Sequence, residues 1–278
     1  MKTRARSLPP GWYPSGRSET LHRLEGYGAG LTAREAGQVW AGVAPHAGWE
    51  FSGRLAFRVL RALADAETLV VVGGHLGADD GVLAAGEEGY ETPLGTIAAD
   101  LELLAALRAR LEVREDRWAD NTVEIQLPLV RHVAPNARAL GLRAPPSHAA
   151  LALGEALAAS ADALGRRVAV LGSTDLTHYG PRYGFTPHGT GDRALEWVRS
   201  QNDRRLVEAL LGLELEKALE LARLERSACS AGGAVAAARF AEARGAVRGR
   251  LLEYATSHDV LPDSSFVGYA SIIYPEGD

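Results

Sequence analysis

The chain has 278 residues, of which 46% are hydrophobic and 23% charged, with a formal net charge of -5. That length can bury a sizeable core in one large α/β domain, and an isoelectric point near 5.9 excludes the basic stripe by which a nucleic-acid-binding domain is recognised. Cysteine occurs only at Cys229, so no intrachain disulfide can form and a cytoplasmic protein, independent of an oxidising compartment, is expected.

The basic start "MKTRARSLPPGWYPSG" runs into Pro, Gly and Ser without an apolar segment, unlike a secretory signal. No apolar stretch approaches the ~20 residues that span a bilayer, so no membrane partner is expected. The aromatic "GWYPSG" is expected to pack across the domain. "QVWAGVA" (38–44) reads as a strand and "GRLAFRVLRALADA" (53–66) as a helix, with Leu55, Val59, Leu60 and Leu63 at helical spacing. "TLVVVGG" (68–74) is a second buried strand, and "DLELLAALRARL" (100–111) a helix with Asp100 as N-cap. "VEIQLPLVRHVA" (123–134) reads as helical with a bend near Pro128. "ARALGLR" (137–143), "HAALALGEALAASADALG" (148–165) and "RRVAVLGS" (166–173) repeat strand, helix, strand. Residues 192–243 read as mainly helical, with a break near Gly212, and "GRLLEYATS" (249–257) and "SSFVGYASIIY" (264–274) as closing strands. Alternating strands and helices with no linker or repeat predict one α/β domain over residues 1–278, its central sheet mostly parallel or mixed and flanked by helices.

Three polar turns follow predicted strands: "APHAGWEFSG" (44–53), "GGHLG" (73–77) and "STDLTHYG" (173–180). Ligands of open α/β sheets bind beyond the carboxyl ends of the strands, and each turn carries a histidine: His46, His75 and His178. One such histidine is most often a hydrogen-bonded turn residue. Asp175 alone suits a turn or cap, and Cys229, before a run of small residues, suits a small buried hydrophobe. Three histidines at one kind of position are not explained that way. Two imidazoles with a carboxylate or a thiolate suit a divalent transition metal, non-haem iron with the carboxylate, copper or zinc when sulfur joins. Neither G-x-G-x-x-G nor G-x-x-x-x-G-K-[ST] follows these strands, which argues against a phosphate-cradling loop.

In order and spacing, "GWYPSG", "PHAGWEFSG", "GGHLG", "TPLGTIAAD", "DNTVEIQLPLV", "STDLTHYG", the lone Cys229 and "VGYASIIY" resemble the Memo family, also known as AmmeMemoRadiSam system protein B. The resemblance spans nearly the whole chain. It implies a fold similar to class III extradiol dioxygenases of the protocatechuate 4,5-dioxygenase β-subunit type. It also implies a metal held by His46, His75 and Cys229, with Asp175 and His178 as the catalytic pair lining the same pocket. Iron or copper is the implied cofactor, with zinc as a further candidate, and a functional link to AMMECR1-like and radical SAM proteins follows from the family label. Three local departures stand out. Asn121-Thr122 replaces the usual His-Ser, removing an imidazole able to shuttle protons. Cys229-Ser230 replaces Cys-Gly, and Gly73-Gly74 stands where Pro, Ser or Asn is usual beside the second histidine.

Three functions are therefore expected to compete. The leading one is a metalloprotein with redox or oxygen-dependent activity on an unknown small molecule. The second is a non-catalytic scaffold binding a peptide or partner through Trp12, Tyr13, Trp49 and Phe51. The third is a hydrolase with Cys229 as nucleophile, His178 as base and Asp175 as its orienting group.

Overall fold

The computed structural model describes residues 2–31 and 37–277. In chain order the first half contains β1 (Thr3–Arg4), α1 (Arg17–Gly28), β2 (Val39–Ala44), α2 (Trp49–Ala62), β3 (Thr68–Gly73) and β4 (Val82–Ala84). There follow β5 (Gly89–Tyr90), β6 (Ile97–Ala98), α3 (Leu101–Arg108), β7 (Val113–Glu115), α4 (Asn121–Glu124), α5 (Leu127–Val133) and β8 (Arg138–Arg143). The second half adds α6 (His148–Ala163), β9 (Val168–Ser173), β10 (His178–Tyr179), α7 (Asp192–Trp197), α8 (Asp203–Leu211), α9 (Leu215–Glu225), α10 (Ala231–Ala243), β11 (Arg250–Thr256) and β12 (Phe266–Pro275).

The apolar runs recognised in the sequence become neighbours. The main sheet has the order β10-β12-β2-β9-β3-β8-β4-β7, with β11 beside β12. β2, β9, β3 and β8 run parallel, and β3 and β9 are buried along their whole length. Burial on both faces is why these strands read as unbroken hydrophobic runs. On one face pack α3, α6, α8, α9 and α10; on the other, α1, α2 and α5. The sheet is mixed, since β12 is antiparallel to β2 and β11, and β4 to β8. The physical reason lies in the connections: a parallel neighbour needs a helical crossover, and no α-helix separates β11 from β12. The short strands β1, β4–β7 and β10 carry too few residues to show a period in the sequence.

Several boundaries differ from expectation. Helix α2 starts at Trp49 directly after the His46 turn. Residues 121–133 form two helices, because Pro128 occupies the first turn of α5, where its missing N–H costs nothing. Asp100 caps α3 as expected, accepting from the Leu103 N–H at 3.0 Å. No helix among the described residues is long and apolar enough to cross a membrane.

The small-residue run that opens α10 has a packing role. A Cβ on Gly233 would lie 2.3 Å from the Val72 carbonyl oxygen, so the first turn of α10 rests directly on β3. The turns around it are equally close. A Cβ on Gly74 would lie 2.6 Å from Cβ of Ser230 and 2.8 Å from its hydroxyl, while the Gly74 N–H donates to the Thr122 hydroxyl at 3.3 Å.

The N-terminal arm is tied down as its aromatic content predicts. Glu124 accepts hydrogen bonds from the Ser7 and Leu8 N–H groups at 2.8 and 3.0 Å and from the Tyr13 hydroxyl at 2.8 Å. The Trp49 N–H donates to the Trp12 carbonyl at 2.8 Å, and the Tyr13 and Trp49 rings lie 5.9 Å apart.

Two stability tests follow from these contacts. Deleting residues 1–14 removes one buried aromatic and strips Glu124 of its donors, which should cost at least about 3 kcal/mol, or roughly 6–12 °C of Tm. An unchanged melting curve would refute the packing role of the arm. Gly74→Ala should lose about 1–3 kcal/mol through overpacking, and Ser230→Gly in that background should recover about 1 kcal/mol or more in a double-mutant cycle. Strict additivity in denaturant titrations would show that the two positions do not press on one another.

Candidate metal centre

Because β2, β9 and β3 are adjacent and parallel, the turns after them open on the same side of the sheet. His46 stands two residues beyond β2, His75 two beyond β3, and Asp175 two beyond β9, with His178 at the start of β10. Cys229 precedes α10 and reaches the same place because α10 lies hard against β3. The five residues singled out in the sequence therefore meet at one point.

The Cys229 Sγ lies 3.2 Å from Nε2 of His46. The His46 and His75 rings meet edge-on with centroids 5.0 Å apart. Donor atoms of His46, His75 and Cys229 lie within 4.8 Å of one another, and so do those of Asp175, His178 and Cys229. Ligands bound at roughly 2.0–2.3 Å to one ion are themselves about 3–4 Å apart, so the first trio closes on an ion with small side-chain shifts. Asp175 braces the cluster. Its Oδ1 accepts from the His46 N–H at 2.7 Å, its Oδ2 stands 3.9 and 3.8 Å from Nε2 of His46 and of His178, and its carbonyl accepts from the Cys229 N–H at 3.2 Å. Those longer separations exceed hydrogen-bond reach. Nε2 of His178 is buried without a hydrogen-bond partner, so it is left to face an occupant of the cleft. The donor types and spacing of His46, His75 and Cys229 fit a transition-metal ion.

Electrostatics agree. Burial alone raises the Cys229 pKa, but three surrounding imidazoles outweigh it and hold the thiol well below its ordinary value. His46 is 1% exposed, which disfavours its charged form, yet Cys229 and Asp175 raise its pKa. His75 is raised to about 10, first by its bond to Asp120 and then by Cys229. His178, against the effect of burial, is raised to about 9 by Asp175 and Cys229. Thiol and imidazoles thus shift one another in opposite directions, each favouring the other's charged form.

Partners not foreseen in the sequence complete the site. Nδ1 of His46 faces the Ser173 hydroxyl at 3.4 Å, which accepts from Gln126 at 3.1 Å. Nδ1 of His75 meets Asp120 at 3.1 Å. Asp120 opens the "DNTVE" motif, and its place before Asn121 was the available signal. The Asn121 amide donates to the His46 carbonyl at 3.2 Å. A cleft of about 360 Å³ opens onto the cluster, and its lining combines His46, His75, Asn121, Asp175 and His178 with Trp12, Phe51, Tyr183, Leu261 and Tyr269. Trp12 and Phe51 thus belong to the wall, whereas Tyr13 and Trp49 are buried.

The sequence matches the family model described as Memo-like protein over residues 4–273. It is 33% identical to a MEMO1 family protein of Methanopyrus kandleri, covering 84% of this chain and 83% of the relative. It is 32% identical to one of Pyrococcus abyssi, covering 94% and 96%. In fold it is similar to an uncharacterized protein of Escherichia coli K12 solved by crystallography, with a TM-score of 0.56 at 14% identity, over 85% of this chain and 99% of that one. With the family pattern matched across nearly the whole length and its histidines and cysteine gathered at one cluster, the chain belongs to the Memo family.

Proposed function

We propose that His46, His75 and Cys229 hold one iron or copper ion, and that the protein carries out a redox or oxygen-dependent reaction on a small molecule lodged in the cleft. The observation that carries this reading is the closure of two imidazoles and one thiolate on a common point beside the unpartnered Nε2 of His178. A bound ion would supply a redox-active, Lewis-acidic centre; zinc fits the same donors but supplies only the second property.

The chain's own groups divide the remaining work. His178, protonated at neutral pH with its pKa near 9, can donate a proton from the cleft side, and Asp175 steadies that imidazole and the backbone of His46. Asn121 can orient a polar group but cannot move a proton, so acid–base work falls to His178. Trp12 and Phe51 offer flat apolar surface to the substrate. Coupling to AMMECR1-like and radical SAM proteins belongs to the same proposal.

A second reading has one observation in its favour. The 3.2 Å contact between Cys229 and His46 is the geometry of an activated nucleophile, with His46 as the imidazole in contact in place of His178. Iodoacetamide separates the two readings. Metal-free protein should alkylate rapidly at Cys229 in both, since the thiol is held low. Only a metal ligand becomes protected when ferrous or cuprous ion is added.

Metal uptake gives the direct test. Binding requires neutral imidazole, and His75 keeps its proton up to about 10, so loading must release protons. Affinity should climb as pH rises from about 6 towards that value and be weakest in acid. Anaerobic calorimetry in buffers of different ionisation enthalpy measures both quantities. His46→Ala, His75→Ala and Cys229→Ser should each abolish tight binding with the fold retained. Equal affinity of wild type and Cys229→Ser would remove sulfur from the site. No binding to any of them would leave the cleft as a peptide- or partner-binding surface.

A further inference from the structure

The two histidines are held in different ways. His46 is enclosed, and its Nδ1 faces a neutral hydroxyl. The His75 side chain is 35% exposed, and its backbone adopts φ of +56°, a left-handed conformation that a residue with a Cβ holds only where its surroundings impose it. Packing alone does not fix a half-exposed ring on a strained turn.

We propose that Asp120 is the positioning residue for His75: its carboxylate takes up Nδ1 and leaves Nε2 to face the ion, and Arg143 holds that carboxylate in place. The inference rests on the metal reading above and names the support that the reading requires. The Oδ2 atom of Asp120 lies 3.1 Å from His75 Nδ1 and 3.3 Å from the Arg143 guanidinium. Its Oδ1 accepts from the N–H of Thr122 at 2.9 Å and from that residue's hydroxyl, so neither oxygen is free to rotate. Arg143 is buried, grips Asp116 with two hydrogen bonds of 2.9 and 3.1 Å, and donates to the carbonyl of Gly74 at 3.4 Å. It therefore braces both the carboxylate facing the ring and the peptide preceding His75. The array continues to the N-terminal arm, where Arg4 donates to the carbonyls of Asp116 and Trp118 at 2.7 and 2.5 Å. A carboxylate on the far nitrogen of a ligating imidazole fixes its tautomer and orientation and strengthens it as a donor, and loss of such a partner typically weakens metal binding about 10–100-fold.

Asp120→Asn keeps the size and the cap acceptor for α4 but removes the charge. Cobalt(II) titrations of wild type, Asp120→Asn and His75→Ala, with melting of the metal-free proteins as control, test the role. Asp120→Asn is expected to bind about 10–100-fold more weakly, to retain the thiolate-to-cobalt absorption, and, with one partner of buried Arg143 lost, to keep a cooperative melting transition in metal-free form at a lower temperature than wild type. Affinity within twofold of wild type, with His75→Ala still defective, would overturn the positioning role and leave the metal reading standing. If wild type and His75→Ala bind equally, the metal reading fails and this inference with it. A measurement that needs no variant is the long-range nitrogen-15 spectrum of zinc-loaded wild type. Protonated Nδ1 and metal-bound Nε2 at His75 support the role, and the reverse tautomer refutes it.

Discussion

Backbone contact between α10 and β3 sets the geometry of the site. Any side chain at Gly233 would overlap the carbonyl of Val72, so the helix reaches this depth only with the run of Gly and Ala that opens it. Cys229 is delivered by that approach. One helical diameter further out, the sulfur would stand in solvent, and the two histidines would keep only the carboxylates of Asp120 and Asp175 near them. The same contact sheathes the ends of the parallel strands, so the thiolate sits in a half-closed, weakly screening environment where its attraction for the imidazoles is strong.

Much of this was legible in the chain. The strand-like runs gave the central sheet because burial on both faces leaves a continuous apolar signature, and the histidines announced the site because they recur just past strand ends. Cys229 was visible as a lone residue, but its distance from the histidines along the chain meant that only the family resemblance placed it with them. The parallel character of the sheet was legible at its centre and not at its rim, where β4 and β10 are too short to carry a period.

The invisible part is mostly polar support. Asp120, Arg143 and Asp116 are scattered in sequence and sit in segments that read as ordinary turns or strand ends. Nothing about Arg143, the last residue of an apolar strand, announces that it is buried among carboxylates. Such arrays arise from tertiary proximity, and a buried charge is tolerated only where partners from other elements surround it. Glu124 shows the same logic at the N-terminal arm: a glutamate in a helical motif turns out to be the acceptor for a segment more than a hundred residues away.

The contact of Gly74 with Ser230 ties the turn that carries His75 to the one that carries Cys229. With less than 3 Å between a Cβ at the first position and the side chain at the second, the two sites are epistatic. Glycine at both would leave only a small void, while bulk at both must displace one turn or the other. A substitution at either position is therefore felt at the other, so the two turns can change only in concert.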